Sequence, residues 1–210
     1  MRYLLIVILI VGLLENCSGK DDDPEIYNNQ LPVNPPSNIG CPGTVYPPWR
    51  SSSYVLPYPV GETYQVHLSH CSGSFHSKGR PDQFAVDFGM DIGSLITASR
   101  DGTVVHVVEN GIDGEFPNNL VVVRHSDHTY AQYMHLTQYG AIPEVGEYVQ
   151  QGDSIGFSGA TGLAGYPHLH FVVTRDQWEY PYESVPHNFK NTTANPRGPE
   201  SRKPYTAKPY

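Results

Sequence analysis

Asn118-Asn-Leu-Val-Val-Val-Arg-His-Ser-Asp-His-Thr-Tyr-Ala-Gln-Tyr-Met-His-Leu-Thr-Gln-Tyr139 is the longest run in the chain without Gly or Pro. If the protein had a long helix, it would lie here. The run instead divides at Ser126-Asp127 and alternates with period two on either side, the pattern of a hairpin with its tip at Ser-Asp. In such a hairpin His125 and His128 are expected to be solvated turn residues. Outward from it, Thr63 to Leu68, Gln83 to Phe88, Thr103 to Val108 and His168 to Thr174 are short runs rich in Val, Tyr and Phe. Gly, Pro, Asn or Asp bounds each one, so they read as further strands. The runs are closely spaced and no crossover helix separates them, so the expected fold is all-β, an antiparallel sheet or sandwich.

Composition supports this. The 210 residues include 20 Gly and 19 Pro, which break helices, and 15 Tyr and 7 Phe, which suit strands. Coiled coils, helical bundles and multi-pass membrane proteins are excluded. The formal net charge is −8. No Lys/Arg cluster offers the basic face that a nucleic acid would need.

The N-terminus is read separately. Tyr3 to Leu14 follows Met1-Arg2 as 12 largely apolar residues. A span needs roughly 20, so this is the core of a secretory signal rather than a transmembrane helix. Leu14-Glu15-Asn16-Cys17 resembles a lipobox, and Lys20-Asp-Asp-Asp23 resembles an acidic export signal behind a lipidated cysteine. Residues 1–17 are expected to be a lipoprotein signal ending at Cys17, with ordinary cleavage nearby as the alternative. An acyl chain on Cys17 would hold the protein at the outer membrane or cell surface without a span. Seven prolines lie between Pro24 and Pro48, so residues 18–56 are expected to form a semi-rigid linker. The folded domain then runs over 57–175. Residues 176–210 are an extension with at most one edge strand, around Val185 to Phe189. With Cys17 lipidated, Cys41 and Cys71 remain as a candidate disulfide in an oxidising compartment, or as two separate thiols.

Three segments carry chemistry. His168-Leu169-His170 opens a strand, which sends both imidazoles to one face and Leu169 to the other. Two imidazoles side by side make a poor core and a good start for a metal site. In Gln83-Phe-Ala-Val-Asp-Phe88, Phe84, Val86 and Phe88 suit a core, which leaves Asp87 on the opposite face; His76 lies just upstream in a polar loop. In Tyr133-Met-His-Leu136, strand alternation pairs Tyr133 with His135 and Met134 with Leu136. Gly156, Gly159 and Gly162 do not form a phosphate loop, since no Lys-Ser/Thr pair follows; they read as a tight turn delivering the H-x-H strand.

In order, these pieces resemble the LytM/lysostaphin-type zinc metallopeptidases. They are His76, Asp87, Gly93-Ser-Leu-Ile-Thr-Ala98, Asp101-Gly-Thr-Val104, Tyr133-Met-His-Leu136, Gly156 to Gly162 and His168-Leu-His-Phe171. The resemblance covers roughly residues 60–175. It implies a domain of the duplicated-hybrid-motif type with an open groove and long loops. It also implies one Zn²⁺ per chain held by His76, Asp87 and His170, with His135 and His168 as catalytic histidines of unassigned roles. Many members of the family place the first His and the Asp four residues apart; here they are eleven apart, so His67 and His70 stand as rivals to His76. The implied substrate is a peptide cross-link of bacterial peptidoglycan, and the lipobox leans towards links containing D-amino acids. A monomer is expected. The rival readings are a non-catalytic wall-binding or amidase-activating protein, and a surface peptidase acting on external proteins.

Overall fold

The structure is a computed structural model that describes residues 39–210. The signal segment, Cys17 and the linker up to residue 38 lie outside the described residues. Among the described residues there are twelve strands and two single turns of 3₁₀ helix, Trp49–Ser51 and Ser74–His76. No described helix is long and apolar enough to cross a membrane.

The strands are β1 (Thr63–Val66), β2 (Val86–Gly89), β3 (Leu95–Thr97), β4 (Gly102–Val108), β5 (Leu120–Arg124), β6 (Thr129–Met134), β7 (Leu136–Ala141), β8 (Tyr148–Val149), β9 (Ser154–Ser158), β10 (His168–Arg175), β11 (Glu183–Ser184) and β12 (Pro204–Thr206). The large sheet runs β12-β1-β2-β10-β6-β5-β4-β8, with β11 also on β10. A small sheet, β3-β9-β7, packs beside it. The paired strands are antiparallel, including β2 with β10 and the β5–β6 hairpin. The expected all-β antiparallel class is what forms.

Period two explains where the core sits. Val86, Phe88, Leu169, Phe171, Val173, Tyr133, Ala131, Val121 and Val123 all point from the large sheet into one buried cluster. Ile96, Leu136 and Ile155 meet them from the small sheet. Burying such a side chain contributes roughly 1.5–3 kcal/mol, so this face fixes the register of every strand. The opposite face of β2, β10, β6 and β5 carries the polar residues.

Several expectations need correction. The Gln83 run becomes a strand only from Val86, because residues 80–85 turn back on themselves: Gln83 N–H donates to Arg80 O and Ala85 N–H to Asp82 O. The linker does not extend to residue 56. Tyr54 and Leu56 lie in the main core and Val55 is buried beside them. Prolines earlier in the stretch hid this apolar triplet, whose burial outweighs an ordering cost of about 1–2 kcal/mol per residue. A disulfide joins Cys41 to Cys71, with 5.0 Å between the Cα atoms. In the extension Val185 to Phe189 is buried but not a strand; the pairing segments are β11 and β12. His125 is buried, not solvated: its Nδ1–H donates to Asp101 O at 2.7 Å and its ring meets Tyr54.

Candidate metal centre

β2 and β10 are adjacent, and Asp87 stands directly opposite His170 in their register. The next pair, Phe88 and Leu169, points into the core, so Asp87 and His170 share the outer face. His170 Nδ1 lies 2.8 Å from Asp87 Oδ1. His168 lies two residues before His170 on the same face, with Nε2 3.7 Å from the same oxygen. The 3₁₀ turn Ser74–His76 brings in His76, with Nε2 3.3 Å from Asp87 Oδ1. Three imidazoles thus surround one carboxylate oxygen, and both His76 and Asp87 are almost fully buried. The rivals stay apart from this cluster. His70 stacks on Tyr46 and meets His187, and His67 packs against Tyr166.

His135 reaches the cluster in an unexpected way. Strand alternation would place it with Tyr133, yet Tyr133 is in the core and its hydroxyl accepts Ser99 N–H. β6 ends at Met134, and His135 takes a left-handed φ of 65°. That one residue breaks the alternation and returns the imidazole to the outer face. A non-Gly residue held there is strained unless its surroundings fix it. Here Asn118 Oδ1 accepts the His135 N–H at 2.9 Å, and His135 Nδ1–H donates to Thr161 O at 2.7 Å. The His135 ring lies 4.7 Å from that of His168. His168 Nδ1–H likewise donates to Tyr166 O at 2.8 Å. In both rings the backbone takes the Nδ1 proton, so Nε2 is the free acceptor.

Burial, then the neighbouring His168 and His170, push His135 down to about 3. His168 is also lowered, mainly by burial, with Asp87 opposing. Burial acts to raise Asp87, but the surrounding His76, His168 and His170 hold it well below the usual carboxylate range. Burial acts to lower His170, yet hydrogen bonds to Asp82 and Asp87 and their charges push it up to about 10.

The donor set fits a divalent metal. The ligating atoms of His76, Asp87 and His170 lie within 4.8 Å of one another. Neighbouring donors of a tetrahedral zinc with bonds near 2.1 Å stand about 3.4 Å apart, close to the contacts here. His135, His168 and His170 form a second group of that size, but it lacks a carboxylate to balance the charge. Beside the cluster is a groove of about 530 Å³, walled by Phe75, Leu163, Tyr166, Trp178 and Tyr180 and floored by Met134.

Sequence comparison agrees with this geometry: residues 82–181 match Peptidase family M23. The chain belongs to peptidase family M23. Lysostaphin from Staphylococcus staphylolyticus is 31% identical over 146 residues, covering 69% of this chain and 26% of lysostaphin. Peptidoglycan DD-endopeptidase ShyA of Vibrio cholerae is 31% identical over 118 residues, covering 55% of this chain and 26% of ShyA. The chain thus spans about a quarter of the length of these curated relatives. Pseudoalterin, described as a novel M23 metalloprotease from the deep sea, superposes with a TM-score of 0.50 at 18% identity. That match covers 70% of this chain and 86% of pseudoalterin, and it shows the common fold. The M23 match begins at Asp82, so His76 lies ahead of it. Asp82 itself escaped the sequence reading. Its Oδ1 accepts from His170 Nε2–H at 3.3 Å, a contact across 88 positions that no local pattern announces.

Proposed function

We propose that this chain is a zinc endopeptidase that hydrolyses peptide cross-links of bacterial peptidoglycan. The observation that supports this reading is the convergence of His76, Asp87 and His170, with His135 and His168 beside them, at the end of an open groove. The relatives include a named peptidoglycan DD-endopeptidase, which brings the substrate class.

His76, Asp87 and His170 would hold Zn²⁺. When bound, the metal lowers the pKa of coordinated water and polarises a carbonyl. The protein's own residues do the rest. His135 and His168 present unprotonated Nε2 atoms to the centre. One accepts a proton and the other, once protonated, steadies the developing oxyanion. Their fixed Nδ1 bonds keep both rings oriented.

The groove also bears on which link is cut. Its described lining residues include Asp82, Asp87 and Glu179 but no Lys or Arg. With Asp82 and Asp87 ionised, the +2 of a bound zinc is balanced. This favours a neutral, small-residue bridge over a stem peptide with a free carboxylate. The proposed setting remains the cell envelope, with Cys17 acylated and the chain acting as a monomer.

The test combines zinc analysis with digestion of cell walls of both cross-link types. His170→Ala is expected to lose zinc and cleavage. His135→Ala is expected to keep zinc and lose cleavage by at least about a hundredfold, the scale of general acid–base catalysis. A zinc-loaded wild type that cuts neither wall type would favour the binding-protein reading instead.

A further inference from the structure

The ring of His170 is held at both edges. Nδ1 faces Asp87, and Nε2–H donates to Asp82 Oδ1 at 3.3 Å. The same Asp82 oxygen accepts the hydroxyl of Tyr182 at 2.5 Å. Tyr182 is buried with Ala85 and Val172 on the outer face of the sheet, with Met134 against it, so its hydroxyl is fixed. Asp82 lies in the turn before β2, and Tyr182 immediately precedes β11. The M23 match begins at Asp82 and stops one residue short of Tyr182. The two side chains close over the ring from either end of the matched segment.

Asp82 cannot ligate the same ion, because it faces the far edge of the ring. Its largely buried charge costs desolvation, which His170 and Tyr182 offset through hydrogen bonds. In the opposite tautomer the Nε2 lone pair would confront this carboxylate.

We propose that Asp82, locked by Tyr182, is a positioning residue for the metal centre: by accepting the Nε2 proton of His170 it commits the Nδ1 lone pair to the cation. This rests on the reading of His76, Asp87 and His170 as the zinc ligands. Removal of such outer partners lowers metal affinity by about 10–100-fold.

The test is the zinc dissociation constant, measured by chelator competition on metal-free full-length protein, beside its metal-free melting temperature. Asp82→Ala is expected to weaken zinc by about 10–100-fold while the metal-free melting temperature moves little. Tyr182→Phe should weaken zinc in the same direction by a smaller factor. The visible spectrum of the Co²⁺-substituted protein should change in both variants. Asp82→Asn keeps the shape and removes the charge, and serves if the alanine variant does not fold; at least threefold weaker zinc is expected. Zinc affinity within twofold of wild type in the folded Asp82 variant overturns the proposal. His170→Ala separates the two readings. If it loses zinc while Asp82 variants bind normally, only the positioning role fails. If it keeps wild-type affinity, the centre itself has been misread.

Discussion

Asp87 carries the charge on which the cluster depends. It touches three imidazoles through one oxygen. Asp87→Asn preserves shape and one acceptor oxygen but removes the charge. Zinc affinity should fall by two orders of magnitude or more, about 3 kcal/mol. The check is zinc content after dialysis against a chelator; stoichiometric zinc in the variant would refute the assignment. This residue was legible in the sequence because period two is rigid within a strand: Val86 and Phe88 belong inside, so Asp87 belongs outside. The same rule placed His168 and His170 on one face. It failed for His135, because a left-handed φ ends the alternation and nothing in Tyr-Met-His-Leu marks that backbone turn. It was silent on Asp82, whose role arises from a contact distant in sequence.

The turn between β9 and β10 is the element that brings His135 and His168 together. Asp113 Oδ1 accepts Ala160 N–H at 2.6 Å, and Asp113 Oδ2 accepts the Thr137 hydroxyl at 2.6 Å. Gly114 N–H donates to Ala160 O and Gly162 N–H to Glu115 O, at 2.9 and 2.7 Å. The turn so clamped presents Thr161 O to His135, and Gly159 bridges to His168. A Cβ on Gly159 would strike the Thr137 backbone and come within 2.5 Å of Asp113 Oδ1. Gly159→Ala should therefore cost about 1–3 kcal/mol, as overpacking does. It should also lower turnover without removing zinc, since no proposed ligand sits on the turn. Melting temperature, zinc content and cleavage rate measured together decide this; unchanged turnover would show that the turn does not position His135. Sequence gave the glycine spacing and the destination of the turn. It could not give the clamp, because Asp113 sits in what reads as an ordinary Asp-Gly turn.

At the scale of the molecule, the N-terminal stretch and the extension wrap each other and the sheet. Ser52 Oγ–H donates to Asn188 O, and Asn191 Oδ1 accepts Leu56 N–H at 2.7 Å. Tyr54 meets the rings of both His125 and His187. Proline density concealed this wrap, since composition averages over a stretch while burial is decided by a few side chains. The wrap encloses histidines that must stay neutral. Burial, opposed by the Asp101 carbonyl, pushes His125 down to about 4. Burial, opposed by the Val185 carbonyl, pushes His187 down to about 4. Around His187 stand Tyr54, His70, Phe171 and Phe189, none of them anionic. An unfolded histidine titrates near 6.5, so between about 6.5 and 4 the unfolded chain binds more protons than the folded one. Stability must then rise with pH across that window, be complete above it, and be lost as pH falls through it. Each histidine accounts for up to about 3 kcal/mol of that change. His187→Phe fits among aromatic neighbours and cannot titrate. Urea midpoints measured from pH 4 to 8 should therefore slope less steeply below 6.5 in the variant, by close to one proton. Parallel slopes in variant and wild type would mean that the wrap opens before His187 feels its burial.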